Sequence, residues 1–146
     1  MPTISPEISN KITGLLKSMG KVSEQSISDA QKKYDGNGKT PLGILTYLIE
    51  DKIVAEEDIV TAVSRNYALR KVLLNEQTIK KDALLKVPKD FITQNEIVPF
   101  ELNGRILKVA IFDPTKSTLV GKLKSMAGCN IELYIAQHQN AIGWDN

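Results

Sequence analysis

The stretch that decides the fold runs from Val98 to Pro114 and reads VPFELNGRILKVAIFDP. Asn103-Gly104 separates two apolar-rich runs. This dipeptide tolerates positive φ at both central positions of a tight turn, so it predicts a type I′ β-hairpin. The second run is continuously apolar from Val109 to Phe112, which is typical of a strand covered on both faces. Asp113-Pro114 ends that run, and the proline can open the next helix in its first turn.

Composition limits the classes of protein that this chain can represent. The 146 residues are 42% hydrophobic and carry a net charge of +2, which allows one domain or two small subdomains and does not indicate nucleic-acid binding. The single cysteine, Cys129, excludes an internal disulfide and fits a reducing compartment. The sequence shows neither a signal-peptide pattern nor an apolar run long enough to span a membrane. We therefore expect a cytoplasmic protein without membrane insertion.

Helical signals fill the first half of the chain, from Met1 to Asn66. Each predicted helix begins with a capping residue, a proline in the first turn or a cluster of acids. The predicted starts are Ser5-Pro6, Ser23, Thr40-Pro41 and Ala55. The second helix is expected to end at Gln31, and Asp35-Gly36-Asn37-Gly38 is expected to form a loop. The pattern predicts a small bundle of short helices.

The two helical hairpins of this half resemble each other at a constant offset in the sequence. Apolar positions and the turn position repeat together, which favours two equivalent units over a chance match of periodicity. The corresponding pairs, all separated by the same number of positions, are Leu16 and Leu48, Gly20 and Lys52, Val22 and Val54, and Ile27 and Ile59.

The second half mixes strand and helix patterns, so we predict an α+β fold. Its predicted elements, besides the hairpin, are an extended segment at 71–74, helices at 81–86, 90–94 and 117–126, a strand at 130–136 and a last helix from Gln137. The predicted organisation is a helical bundle at 1–66 followed by a small mixed sheet with packed helices at 67–146, with the hairpin turn at 103–104.

No set of residues has the composition of a catalytic or metal site. Gly38-Lys39-Thr40 lacks the upstream glycine and the preceding strand of a phosphate-binding loop. Cys129 and His138 are each the only residue of their type, too few for a structural zinc site and without a third group to complete a nucleophile–base pair. We predict no catalytic residue, no metal and no cofactor, which disfavours a small enzyme.

The order of several short motifs resembles the N-terminal domain of type II secretion and type IV pilus assembly ATPases, the secretion ATPase E N-terminal family. The segments that carry the resemblance span almost the whole chain. They are Leu42-Gly43, residues 53–59 (IVAEEDI), 87–91 (VPKDF) ahead of 97–99 (IVP), Lys108-Val109-Ala110 with Asp113-Pro114, the helix from Leu119 to Gly128 and the strand at 130–135.

The resemblance implies a docking and regulatory module rather than an enzyme. In such ATPases the nucleotide-hydrolysing core follows this domain, and this sequence ends before any core. The implied partner is a membrane-associated component of a secretion or pilus system, contacted at the cytoplasmic face of the inner membrane. Ile44 and Tyr47 have no obvious intramolecular use in the sequence, so we predict that they are exposed and contact this partner.

An alternative implied by the resemblance is binding of cyclic-di-GMP, which some relatives achieve through two tandem motifs that begin Arg-Leu-Gly. The candidate residues are Lys11, Leu16, Gly20, Leu42, Gly43 and Leu48. Both copies depart from the pattern, because Lys11 and Gly43 stand at the arginine positions and Lys52 replaces the second mid-motif glycine. Tyr34 and Asn66 stand at the terminal glutamine positions. Arginine stacks and forks to phosphate as lysine cannot, so we expect no binding or much weaker binding.

Overall fold

Helices make up the first half of the chain and flank the sheet in the second. The structure is a computed structural model that describes residues 4–37 and 42–138. In the first half the helices are α1 (Pro6–Ser18), α2 (Glu24–Asn37), α3 (Leu45–Glu50) and α4 (Glu56–Tyr67). In the second half they are α5 (Lys81–Leu84), α6 (Lys89–Asn95), a 3-10 helix (Pro114–Leu119) and α7 (Val120–Ala127).

The sheet has four strands among the described residues. They are β1 (Arg70–Leu74), β2 (Ile97–Asn103), β3 (Ile106–Ile111) and β4 (Asn130–His138), and they lie in the order β1-β4-β3-β2. β2 and β3 form the predicted antiparallel hairpin, whereas β4 is parallel to both of its neighbours. The predicted α+β class is confirmed.

The hairpin turn lies one residue later than predicted. Asn103 pairs with Ile106, so the two residues of the turn are Gly104 and Arg105. Gly104 has φ +62°, and Arg105 is not among the residues with positive φ. A type I′ turn needs positive φ at both positions, so the predicted turn type is wrong. The glycine supplies the single left-handed residue that this turn requires.

Strand β3 is covered on both faces, as its apolar run predicted. Leu107, Val109 and Ile111 are fully buried in a cluster with residues of α5 and α7. Ala110 and Phe112 are buried in a second cluster on the opposite face. Strand alternation therefore places consecutive residues of β3 in two different cores.

Helix α5 packs against β2, so the chain crosses from the β1 edge of the sheet to the β2 edge.

Three predicted boundaries are wrong, and one of them is the start of α3, which lies at Leu45 rather than at Thr40-Pro41. Helix α2 continues through Asp35, Gly36 and Asn37, which were expected to form a loop, while Gly38, Lys39, Thr40 and Pro41 lie outside the described residues. A hydrogen bond of 2.9 Å from Gln31 Nε2 to Asp35 Oδ1 supports this last turn, as pairs four residues apart do in helices. Gln137 and His138 extend β4 instead of starting a helix, because they pair with Leu73 and Leu74 of β1.

The helical half has its own core, and one residue of the sheet joins it. Helix α1 packs against α4, and α2 packs against α3. Their apolar side chains form one buried cluster that also contains Ile135 of β4. The backbone changes from helix to strand between Tyr67 and Arg70, close to the predicted boundary. The division at residue 66 stays a prediction, since this packing crosses it.

Candidate functional site

The turn that ends the first helix of each hairpin contains the mid-motif positions, which are Gly20 in the first copy and Lys52 in the second. After α1, Met19 N–H donates to Leu15 O at 3.0 Å, Gly20 N–H to Lys17 O at 3.0 Å and Lys21 N–H to Leu16 O at 2.9 Å. Gly20 is left-handed with φ +75°. This pattern is a helix C-terminus closed by a left-handed residue.

The turn after α3 repeats the same hydrogen bonds at the offset that relates Leu16 to Leu48. Asp51 N–H donates to Tyr47 O, Lys52 N–H to Ile49 O and Ile53 N–H to Leu48 O, each at 3.0 Å. Lys52 is left-handed with φ +60°, although it is not a glycine. Such a residue costs of the order of 1 kcal/mol, so the surrounding packing must hold it there. The two turns therefore share their backbone geometry at the offset that the sequence predicted.

The two hairpins are also packed symmetrically. The pairing of α1 with α4 and of α2 with α3 is unchanged when the two hairpins are exchanged. Leu16 and Leu48, equivalent positions of the two motifs, are both fully buried in the shared core. These two candidate residues therefore support the fold and present no side chain to a ligand.

Ion pairs join one hairpin to the other at the surface. Lys21 Nζ lies 3.6 Å from Asp58 Oδ1, and Lys33 Nζ lies 2.6 Å from Asp51 Oδ2. The hydrogen bond with Asp51 raises the pKa of Lys33 above its ordinary value. Because water and salt screen exposed pairs of this kind, they contribute little to stability.

Lys11, at the first arginine position, is exposed and faces a neighbouring helix. Its Nζ lies 5.1 Å from the centroid of the Tyr67 ring, within the range of a cation–π contact. The hydroxyl of Tyr67 is buried and has no hydrogen-bond partner among the described residues. Lys11 is therefore directed towards the end of α4.

Gly43, at the second arginine position, cannot carry a side chain without rearrangement. The hydroxyl of Ser9 donates to the carbonyl of Leu42 at 2.8 Å, which brings α1 against this turn. A Cβ on Gly43 would lie 2.7 Å from Ser9 Oγ, and Gly43 has φ +60°. The second copy of the motif therefore lacks a cationic group, and the backbone excludes one.

A shallow cleft lies between α1, α2 and the turn before α3. Its lining residues are Pro6, Ser9, Asn10, Gln31, Tyr34, Gly43 and Ile44. The structure thus brings together Tyr34 and Gly43 of the two motif copies. Lys11, Leu16, Gly20, Leu42 and Leu48 do not line this cleft. The predicted ligand residues are dispersed over the core, the turns and the surface.

The prediction that Ile44 and Tyr47 are exposed is wrong. Their side chains are only 4% and 8% exposed, and both belong to the core of the helical half. Helix α3 is a single short helix whose residues Leu45, Tyr47 and Leu48 are all buried. A helix that is enclosed on several sides has no single apolar face, so the sequence pattern could not show whether these side chains are buried or exposed.

Asp113 is a structural residue whose role the sequence analysis missed. Its carboxylate accepts hydrogen bonds from Ser5 N–H at 3.2 Å, Thr115 N–H at 2.8 Å and Thr115 Oγ1 at 2.7 Å. It is buried at the end of β3, so it ties the start of α1 to the sheet. The capping pattern Asp-Pro-Thr could have revealed the local bonds, but the contact with Ser5 is 108 residues away in sequence.

The described part of the chain shows no cluster of three or more histidine, cysteine, aspartate or glutamate residues that could hold a metal ion. Cys129 is buried, and its thiol donates to the carbonyl of Ala127 at 3.4 Å. Among the described residues no helix is long and apolar enough to cross a membrane.

Comparison with protein families finds a match over residues 67–141 to the MshEN domain. The chain belongs to this family. Its sequence is 29% identical over 129 residues to the type IV pilus assembly ATPase PilB of Myxococcus xanthus, a match that covers 88% of this chain and 22% of PilB. The chain therefore spans about a fifth of the length of this curated relative.

Two solved structures have a similar fold. The structure of MshE with cdg matches with a TM-score of 0.64 and 21% identity, covering 86% of this chain and 88% of that one. The N-terminal domain of XpsE matches with a TM-score of 0.55 and 16% identity, covering 93% of this chain and 90% of that one. The predicted membership among the N-terminal domains of secretion and pilus ATPases is confirmed. Like those N-terminal domains, this domain is non-catalytic.

Proposed function

We propose that this domain is a docking and regulatory module of a type II secretion or type IV pilus-type ATPase. It binds a protein partner at the cytoplasmic face of the inner membrane and is held at the membrane through that partner. The observation that carries the proposal is the match to PilB over 88% of the chain, a sequence relationship to one part of a pilus assembly ATPase. The fold of the XpsE N-terminal domain supports the same assignment.

The connection between the two halves supports a regulatory role. Ile135 of β4 packs in the helical core, and the carboxylate of Asp113 accepts a hydrogen bond from Ser5 N–H at the start of α1. A partner that changes the position of one half therefore acts on buried contacts of the other. Such coupling requires that a partner bound to one half and a ligand or partner bound to the other half both favour one arrangement of these contacts.

The partner surface is proposed on the α+β half. Because Ile44 and Tyr47 are core residues, they offer no contact area unless the helical half opens. Large apolar side chains that are exposed on the α+β half include Leu73, at 42%, and Leu85, at 76%. Exposed apolar groups of this size are available to a partner without any rearrangement.

The proposal is tested with the purified chain as bait. Inverted inner-membrane vesicles are prepared from a bacterium that encodes a type IV pilus or type II secretion system, and from the same strain with the inner-membrane assembly genes deleted. We expect chemical cross-linking with mass spectrometry to identify a secretion or pilus component only with the first vesicles. Equal retention of the chain on both kinds of vesicle would contradict a specific partner and indicate binding to lipid.

Cyclic-di-GMP sensing is the alternative. The structure of MshE with cdg, an abbreviation of cyclic-di-GMP, favours it. The first hairpin keeps Leu16 and Gly20 of the motif. The geometry opposes a strong site, because Gly43 excludes a side chain and Lys11 is directed to the ring of Tyr67. A dinucleotide would find one cation where two arginines are expected.

Isothermal titration calorimetry with cyclic-di-GMP distinguishes the two proposals. We expect no measurable heat of binding, or an affinity far below that of relatives with intact motifs. The matched variants are Lys11→Ala and Lys124→Ala, the second being an exposed lysine on α7. Tight stoichiometric binding that is lost in Lys11→Ala and retained in Lys124→Ala would establish the alternative.

A further inference from the structure

Strand β1 is an open edge of the sheet in the described part of the chain. Its residues Arg70–Leu74 pair with β4, and no other described strand pairs with them. An edge strand presents unpaired N–H and C=O groups that can accept another extended chain. Among the described residues the only side-chain hydrogen bond to this backbone is from Thr78 Oγ1 to Leu73 O, at 3.2 Å.

The other edge of the sheet is blocked in several ways. Strand β2 contains Pro99, which has no N–H, and its register is interrupted between Pro99 and Glu101. The N–H of Lys80 donates to Phe100 O at 2.8 Å, and α5 packs against the strand. Strand β1 has neither a proline nor a register shift. Only the β1 edge therefore has a regular backbone to which a strand could add.

Strand β1 and the residues just before it carry three cations. They are Arg65, Arg70 and Lys71, and the first acid after the strand is Glu76. All three side chains are exposed, and none forms an ion pair with a described carboxylate. Lys71 Nζ has a weak contact of 3.4 Å with Thr61 Oγ1. An extended segment with acidic side chains would complement this charge.

The pleat of β1 sets the pattern of the complementary segment. Lys71 and Leu73 lie on the same face of the sheet, because side chains alternate along a strand. Leu73 is 42% exposed, and an added strand would place an apolar residue beside it. The expected segment therefore carries an acid and an apolar residue two positions apart.

We propose that the β1 edge binds an extended acidic segment of the partner protein by strand addition. This inference rests on the proposed docking function and names its surface. Backbone hydrogen bonds to β1 supply affinity, and contacts with Lys71 and Leu73 supply selectivity. A second copy of this chain is a poorer occupant, since two β1 edges would bring the cations Arg70 and Lys71 of both copies together.

The test uses a fluorescein-labelled peptide that repeats Glu-Thr-Val-Thr as the probe, with anisotropy as the readout. Its controls are the same peptide with lysine in place of glutamate and one with alternate backbone nitrogens methylated. We expect only the unmodified acidic peptide to bind, and hydrogen exchange to show new protection at residues 70–74. The double variant Arg70→Glu, Lys71→Glu should weaken binding about tenfold, as the loss of two exposed ion pairs would. The matched variant Lys122→Glu, Lys124→Glu on α7 should not.

Three outcomes would overturn the inference. They are binding without protection of β1, equal binding of the methylated peptide, and no binding by a chain whose circular dichroism is native. Dimerisation of the chain through β1 would replace it with self-association. The vesicle assay separates the two proposals: retention that survives the Arg70→Glu, Lys71→Glu variant refutes the edge but keeps the docking function. Failure of the unaltered chain to bind vesicles that contain the system refutes the docking function itself.

Discussion

The two turns that end α1 and α3 have the same hydrogen bonds but different residues at the left-handed position. Gly20 adopts φ +75° without strain, whereas Lys52 adopts φ +60° despite its side chain. Leu16 and Leu48, which precede these residues at equivalent positions, are equally buried. Buried leucines and the packing of the hairpins therefore impose the turn, and glycine only lowers its cost.

The starts of the following helices differ in a complementary way. Ser23 Oγ accepts from the N–H of Ser26 at 3.1 Å in the first hairpin. In the second, Ala55 has no capping oxygen, and Asp58 Oδ2 instead accepts from Ala55 N–H at 2.9 Å. Each hairpin thus has one arm of a reciprocal capping box. Equivalent backbones are again supported by different side chains.

The largest expected effect tests whether the two leucines are equivalent. Leu16→Ala and Leu48→Ala should each lower the free energy of unfolding by about 3 kcal/mol, because each leaves a cavity in the same core. Urea denaturation followed by circular dichroism measures this. Leu85→Ala, at a site 76% exposed, should change stability by no more than about 0.5 kcal/mol. A much smaller loss for Leu48 than for Leu16 would break the equivalence.

Exchange of the turn residues should give effects of opposite sign. Gly20→Lys should destabilise by about 1.5 kcal/mol, because no atom lies within 4 Å of the new Cβ and only backbone strain is added. Lys52→Gly should stabilise by about 1 kcal/mol through relief of that strain. As a control, Lys124→Gly within α7 should destabilise by about 1 kcal/mol. If Lys52→Gly destabilises the chain as much as Lys124→Gly does, the side chain of Lys52 itself holds the turn.

Exchange of the capping residues Ser23 and Ala55 tests whether the two helix starts are equivalent. Ser23→Ala should lower the free energy of unfolding by about 1 kcal/mol, because the N–H of Ser26 loses its acceptor. Ala55→Ser should raise it by about 0.5 kcal/mol, since it completes the box with Asp58. Thermal unfolding of both variants and of the control Ser125→Ala, at an exposed position in α7, would reveal these shifts. No gain from Ala55→Ser would mean that Asp58 alone satisfies the helix start.

The smallest effect concerns an ion pair found only in the first hairpin. Lys17 Nζ lies 2.5 Å from Glu24 Oε1, whereas Ile49 stands at the position equivalent to Lys17. The hydrogen bond with Lys17 lowers the pKa of Glu24 in the folded chain. Its contribution to stability is therefore present above the ordinary pKa of glutamate and is lost as pH falls through the lowered value. Lys17→Met should return the pKa of Glu24 towards its ordinary value in an NMR titration, and an unchanged pKa would show that the pair does not form in solution.

Local signals explain which elements the sequence predicted correctly. Ser5-Pro6 starts α1, Gly128 ends α7, and the apolar run of β3 is buried on both faces. These features depend on neighbours in sequence, so periodicity and capping chemistry are enough to read them. The boundary errors at Asp35–Asn37 and at Gln137 arose where helix pairs or strand pairing extended an element beyond its intrinsic preference.

The candidate site was predicted less well, for the same physical reason. The motif positions were identified by spacing, but spacing does not reveal that Ile44 and Tyr47 are enclosed or that Ser9 occupies the space beside Gly43. Those facts depend on how α1, α2 and α3 pack together. The sequence showed which residues are equivalent in the two hairpins, and it did not show which of them reach the surface.

By itself, the sequence determined the hairpin, the helices and the repeat that relates Leu16 to Leu48, because turn chemistry and apolar period act over short stretches of chain. Only the tertiary structure decided that β4 lies between β1 and β3, with Arg70 opposite Tyr134, and that one edge of the sheet stays open. It also decided that a lysine adopts the left-handed conformation at Lys52. These outcomes require contacts between residues far apart in the chain, and the collective burial of the cores offsets their local cost.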